Sequence, residues 1–201
     1  MKIRVLSAFF LVLVCAQGMP VFAAGALSPK QGTQELLDVV AAKGAALELR
    51  GKVKEYFDYS QLVKKPIEPH RAKLSSKQMK RYSALFTELL KMAPFIAALN
   101  DEGGVEYSVA KPVKEKSDVR VAVQTYNPST DMESSVAFVW RDGGKKSGWR
   151  IVDVQLDGAS MVKGYQNQFG RILKKDGPEV LLKRLEDKLA DVKAKQEAKK
   201  S

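Results

Sequence analysis

Apolar positions change their spacing twice along this chain. They recur at three- and four-residue steps up to about residue 100, alternate between 105 and 156, and return to helical steps from 161 onward. Leu36, Leu37, Val40, Ala41 and Leu47 predict a helix from Thr33 to about Leu49, with Thr33 placed to cap it. The aromatic run Tyr56 to Tyr59, "YFDY", leads to a break at Pro66 and Pro69. The clearest helix start follows: Ser75 and Gln78 have the spacing of a capping box, and Leu74 can staple onto Met79. Tyr82, Leu85, Phe86, Leu89 and Leu90 then form a broad apolar face, which Pro94 kinks or ends.

After "NDEGG" at 100–104, four strands are predicted: Val105–Lys111, Asp118–Tyr126, Glu133–Trp140 and Trp149–Leu156. Short links rich in turn residues join them into an antiparallel meander. Val119, Val121 and Val123 share one face, and Val136, Phe138 and Trp140 line one face of the next strand. The last strand reads as apolar on both sides, with Val152, Val154 and Leu156 on one and Trp149 and Ile151 on the other. Beyond Asp157-Gly158 a helix carries Met161, Val162, Tyr165, Phe169, Ile172 and Leu173. Gly177 stops it and Pro178 suits the first turn of another, built on Leu181, Leu182, Leu185, Leu189 and Val192. The predicted class is α+β, with a four-stranded antiparallel sheet between helical segments.

Charge and composition refine this picture at the two ends. Lys2 and Arg4 precede the uninterrupted apolar run Val5 to Val14, and small residues near Ala23 offer a cleavage point. Ten apolar residues are too few to span a bilayer and fit a secretory leader over residues 1–23. Cys15 sits in a context that resembles a lipoprotein-processing site, although branched Val14 precedes it. Cleavage after Ala23 leaves no cysteine, hence no disulfide and no thiol chemistry. The working unit is then a single domain over 24–192, followed by a solvated, Lys-rich tail over 193–201. With the leader gone, 32 basic residues face 23 acidic ones, a formal excess of +9. In an exported chain that excess fits anionic head groups or acidic protein surfaces rather than nucleic acid, and equally a solvated basic surface that aids solubility, so charge alone decides nothing.

Catalytic chemistry is thin. The single histidine, His70, lies in a Pro-flanked loop without a motif around it, and no metal-ligand cluster, nucleophile motif or phosphate loop is present. Asp153, Asp157 and Tyr165 could form a proton-transfer set, as in small isomerases on cone-shaped α+β folds. The competing reading is that an Asp before Gly at a strand end holds a turn.

The segment "GWRIVDVQLDGASMVKGYQNQFGRILKKDGPEVLLKRLEDKL" resembles the C-terminal signature of the MlaC family, the toluene-tolerance auxiliary component. Gly148, Trp149, Asp153, Gly158, Ser160, Tyr165, Phe169, Gly177 and Leu181 carry the likeness, with "FDY" at 57–59 and the capped helix from Ser75 to Leu90. Departures are the absence of a tryptophan in "EPHRAKL", "KMAPF" after "LL", and Gln166 after Tyr165 where arginine is usual. The resemblance implies a monomeric periplasmic phospholipid carrier without cofactor, its cargo the lipid itself. Its partners would be an outer-membrane lipoprotein complex and an inner-membrane ABC transporter with an MCE-domain subunit. The implied fold is a curved sheet wrapped by helices, akin to NTF2-like cones, with an apolar cavity between the layers.

The energetics of such cargo set the size of that cavity. About 30 methylenes at ~0.8 kcal/mol each amount to ~24 kcal/mol of gross transfer free energy. A hollow of ~800 Å³ is expected, near the top of the usual range. The lining predicted for it is Phe86 and Leu89 from the capped helix, Val121, Val123, Phe138, Val152 and Val154 from the sheet, and Met161 and Tyr165 from the helix that follows. The alternative from another class is a basic periplasmic interaction module with a solid core and no ligand.

Overall fold

The computed structural model describes residues 27–41, 54–92, 105–144 and 148–198. The leader, residues 42–53, Pro94 and the "NDEGG" stretch lie outside them. Helix α1 (Pro29–Ala41) begins before Thr33. Ser28 is its cap: the Gln31 N–H donates to the Ser28 hydroxyl, and Gln31 Oε1 accepts from the Ser28 N–H at 3.1 Å. Pro29 takes the first helical position, where a missing N–H does no harm. Thr33 therefore does not cap the helix. It is fully buried, donating to the Pro29 carbonyl at 2.8 Å and accepting from Trp140 Nε1 at 3.0 Å. A Cβ on Gly32 would come within 2.7 Å of the Trp140 ring, so the glycine lets the indole reach Thr33.

Helix α2 (Tyr59–Ile67) occupies the stretch whose prolines predicted only a break. Asp58 caps it by accepting from the Gln61 N–H at 3.1 Å. Pro66 sits in its last turn, and the chain continues as a 3-10 helix over Glu68–Lys73. Helix α3 (Ser76–Met92) starts with the predicted capping box: the Ser75 N–H donates to Gln78 Oε1 at 2.9 Å and the Gln78 N–H to the Ser75 hydroxyl at 3.3 Å.

Among the described residues the sheet has six strands rather than four. They are β1 (Glu106–Val109), β2 (Val113–Glu115), β3 (Asp118–Asn127), β4 (Met132–Asp142), β5 (Trp149–Leu156) and β6 (Ala159–Ser160). The order is β1-β3-β4-β5-β6, with β2 beside the first half of β3 and every pairing antiparallel. Pro112, which lacks an N–H, separates β1 from β2, and β2 falls in the stretch after Lys111 that was expected to be a link. Strand β6 arises because Asp157 and Gly158, both at positive φ, make a two-residue hairpin at the end of β5.

The two-sided apolarity of β5 has a local cause. Phe138 pairs with Val154 but Trp140 pairs with Ile151, so β5 holds one extra residue in a bulge. Phe138 and Trp140 point the same way, and so therefore do Ile151 and Val154. The two predicted faces are largely a single face whose alternation slips at the bulge. Val152 is buried but stands outside the main apolar cluster.

Helix α4 (Met161–Lys175) ends at Gly177, whose N–H donates to the Ile172 carbonyl at 3.1 Å at φ 83°. Helix α5 (Pro178–Ala198) runs past the predicted tail boundary, and Lys193 pairs with Glu88 of α3 at 2.6 Å. Arg81 of α3 also meets Glu186 at 2.6 Å, which sets α3 and α5 side by side and parallel. Residues from each of the five described α-helices and from one sheet face, including Val121, Phe138, Trp140 and Val154, join in a single core.

Candidate functional site

The junction of β5 and α4 is held by carboxylates. Asp153 accepts from the Val154 N–H at 2.9 Å, the Val162 N–H at 3.0 Å and the Ser160 hydroxyl at 2.5 Å. Ser160 caps α4 through the Lys163 N–H at 3.0 Å. Asp157 accepts from the Ser135 N–H at 2.8 Å. Both carboxylates are thus engaged with backbone and turn, and the proton-transfer set of Asp153, Asp157 and Tyr165 is not assembled. His70 places Nε2 3.3 Å from the Gln166 carbonyl and packs where a Cβ on Gly170 would sit, 2.5 Å away. Its role is to seat the 3-10 helix on α4. Among the described residues no group of three His, Cys, Asp or Glu is arranged to hold a metal, and no helix is long and apolar enough to cross a membrane.

With α4 fixed in this way, its inner side meets α3 through four aromatic rings. Phe86 lies 4.9 Å from Tyr165 and 5.2 Å from Phe169, edge to face, and 5.6 Å from Tyr82 in a stacked pair. Such offset and edge-on contacts add to simple burial. The Tyr82 hydroxyl is satisfied by the Val63 carbonyl at 3.0 Å. Burial pushes the phenols of Tyr82 and Tyr165 above the ordinary range, so both stay neutral.

Of the nine residues predicted to line a cavity, the structure gathers all but Val152 in this one cluster. Phe138 stands opposite Val121 on one side and Val154 on the other. Phe86, Val121, Val123 and Phe138 are completely buried, while Met161 and Tyr165 are partly buried at the margin. Phe86, Val121, Val123 and Phe138 have no exposed surface, so no hollow of the expected ~800 Å³ opens beside them. The interlocked rings of α3 and α4 occupy the space above the sheet valines.

Among the described residues, hollows are found elsewhere. One, of about 440 Å³, runs between α2 and α3 and is lined by Tyr59, Ser60, Val63, Lys64, Met79, Ser83 and Thr87. Another, about 340 Å³ and more polar, lies at the ends of β1, β3 and β4, around Tyr107, Thr125 and Tyr126. Neither contains a predicted lining residue. The first was hidden by the missed α2, although Met79, Ser83 and Thr87 already stood four apart beside the apolar face of α3. Burial raises the Tyr59 phenol to about 12, and Lys91 Nζ sits 5.7 Å from the centre of its ring.

A charged group flanks the sheet. Arg141 grips Asp118 with two hydrogen bonds of 2.6 and 2.7 Å, which hold that carboxyl below its usual value. Half-buried Lys65 is lowered chiefly by desolvation and then by Arg141, against the pull of Asp118, Asp153 and Asp58.

The chain matches the family model described as MlaC protein over residues 31–187. Among solved structures it is similar to the phospholipid-binding protein from Ralstonia solanacearum, determined in complex with a phospholipid. That likeness has a TM-score of 0.62 at 16% identity and covers 80% of this chain and 93% of that one. At this identity it speaks to the fold.

Proposed function

This chain belongs to the MlaC family, and on that footing we propose that it is a phospholipid carrier of the periplasm. It takes acyl chains between the α3–α4 layer and the sheet and moves lipid between an outer-membrane lipoprotein complex and an inner-membrane MCE-domain ABC transporter. The observation that carries the reading is the family match, which spans most of the chain and includes the helices and strands of the aromatic cluster. The phospholipid held by the Ralstonia solanacearum protein, which shares the fold, is in keeping with it.

In this reading the acyl chains displace side chains rather than enter a standing void. A ~800 Å³ void left unfilled would cost up to ~19 kcal/mol at ~24 cal/mol per Å³. Whole domains have only ~5–15 kcal/mol of stability. A polypeptide of this kind has to close its own interior, and Phe86 and Tyr165 are the side chains that do so here. Opening then means parting these rings, with partly buried Met161 and Tyr165 at the margin and Leu89, Val121, Val123, Phe138 and Val154 beneath. The bulge leaves Val152 out of this lining. No covalent step is needed: handover follows from the partner's higher affinity for the lipid.

Exchange of labelled phosphatidylglycerol between two vesicle populations tests the reading. The protein should accelerate exchange, and Val154→Glu, which sets a carboxylate against Phe138, should remove the effect. No acceleration by the wild-type chain would overturn it. A second reading, a ligand-free basic interaction module, draws on the closed interior, and the same failure would favour it.

A further inference from the structure

The 440 Å³ groove between α2 and α3 contains none of the residues assigned to the acyl-chain layer, yet it combines an apolar floor with positive charge. The two helices run antiparallel. Tyr59 at the start of α2 lies under Lys91 at the end of α3, and Val63, one turn on, accepts from Tyr82, further back along α3. Tyr59, Val63 and Met79 give the groove its apolar surface. The facing side chains of α3, Ser83 and Thr87, are too short to fill it.

We infer that this groove is a docking track for one acyl chain of a phospholipid, with the lipid phosphate received by Lys64 and Lys91; the inference rests on the carrier reading above. Its volume is about half of what two chains require (~800 Å³), so it takes one chain. Lys64 lies in its wall and Lys91 over its Tyr59 end, the arrangement that suits an anionic head. Lys64 is paired with Glu68 at 3.5 Å, but both side chains are about 60% exposed, and such a pair is weak enough to yield to a phosphate. Asp58, next to Tyr59 in the chain, has Oδ1 committed to the Ser60 hydroxyl at 2.6 Å and to the Gln61 N–H. The Tyr59 phenol, raised by burial, stays uncharged and adds no repulsion.

The groove also touches the interior. Tyr82 binds the Val63 carbonyl with its hydroxyl, while its ring lies 5.6 Å from Phe86 and 5.7 Å from Phe169. A chain lying on Val63 is therefore one side chain away from the aromatic cluster. Lipid docked here has a short path inward once Tyr82 releases Val63.

The test is photo-crosslinking with vesicles of phosphatidylglycerol carrying a diazirine on one acyl chain, labelled peptides being mapped by mass spectrometry. Label is expected on the peptides of Tyr59, Val63 and Met79. Ser83→Trp, which fills the groove from a half-buried position in its wall, should lower that label about tenfold. The pair Lys64→Glu and Lys91→Glu should lower it about threefold or more, most strongly at low salt. Thr87→Trp serves as a second plug, and circular dichroism confirms which plugged variant is folded. Label confined to α4 and sheet peptides, or groove label indifferent to both plugs, overturns the docking track while leaving the carrier standing. No label on any peptide of the wild-type protein overturns both.

Discussion

The layer between α3, α4 and the sheet and the groove between α2 and α3 share one helix but end up opposite in kind. On one side α3 presents Tyr82, Phe86 and Leu89, and the space is closed. On the other it presents Met79, Ser83 and Thr87, and a hollow remains. Apolar content does not make the difference, since both regions are largely apolar. Side-chain reach does: rings from α3 meet rings from α4 at 4.9 to 5.7 Å, whereas hydroxyl side chains cannot bridge to Tyr59 and Val63. In a carrier the two regions would divide the work, the groove open for docking and the interior closed until a chain enters.

The sharpest way to break this contrast is to shorten a side chain on each side of α3. Phe86→Ala should lose about 3–5 kcal/mol of unfolding free energy, whereas Thr87→Ala should stay within about 0.5 kcal/mol. Urea unfolding measures both, and equal losses would show that the two sides are packed alike. Next in size is the clamp that fixes α4 over the interior. Asp153→Ala removes the acceptor of two backbone N–H groups and the Ser160 hydroxyl. It should lose about 1–3 kcal/mol, visible as a lower urea midpoint.

How far the sequence foretold these regions depended on how local their causes are. The Ser75–Gln78 box, the alternation of β3 and the Gly177-Pro178 stop rest on neighbours within a few residues, and each was legible. Thr33 was misread as a cap because its partner, Trp140, lies 107 residues away. The β5 bulge made one apolar face look like two. Pro66 and Pro69 masked α2, because a proline in the last turn of a helix reads as a break. Apolar spacing picked out residues that, Val152 apart, the structure gathers in one core. It did not show whether their side chains would meet or leave a gap, which depends on ring-to-ring distances between helices about 80 residues apart.

Alkaline titration sharpens the comparison further. Tyr59 in the groove and Tyr82 in the interior are both raised by burial, Tyr82 the more strongly. A folded-state value above the unfolded one, ~10, contributes stability that is complete below pH ~10 and is lost as pH rises through the folded value. Tyrosinate absorbance should therefore show a phenol ionising near pH 12 and another appearing only with loss of the folded circular dichroism signal. Both ionising together in a folded chain would show that the interior is no drier than the groove. The smallest effect belongs to the rim: Glu68→Gln frees Lys64 from an exposed pair and should change stability by less than about 0.5 kcal/mol.

The central claim, that the closed interior opens to hold acyl chains, is met most directly by native mass spectrometry of the purified protein. The account predicts that the wild-type chain carries the added mass of phospholipid, and that Val154→Glu, still folded, does not. A folded wild-type chain that retains no lipid, and whose melting temperature is unmoved by phosphatidylglycerol, would contradict it.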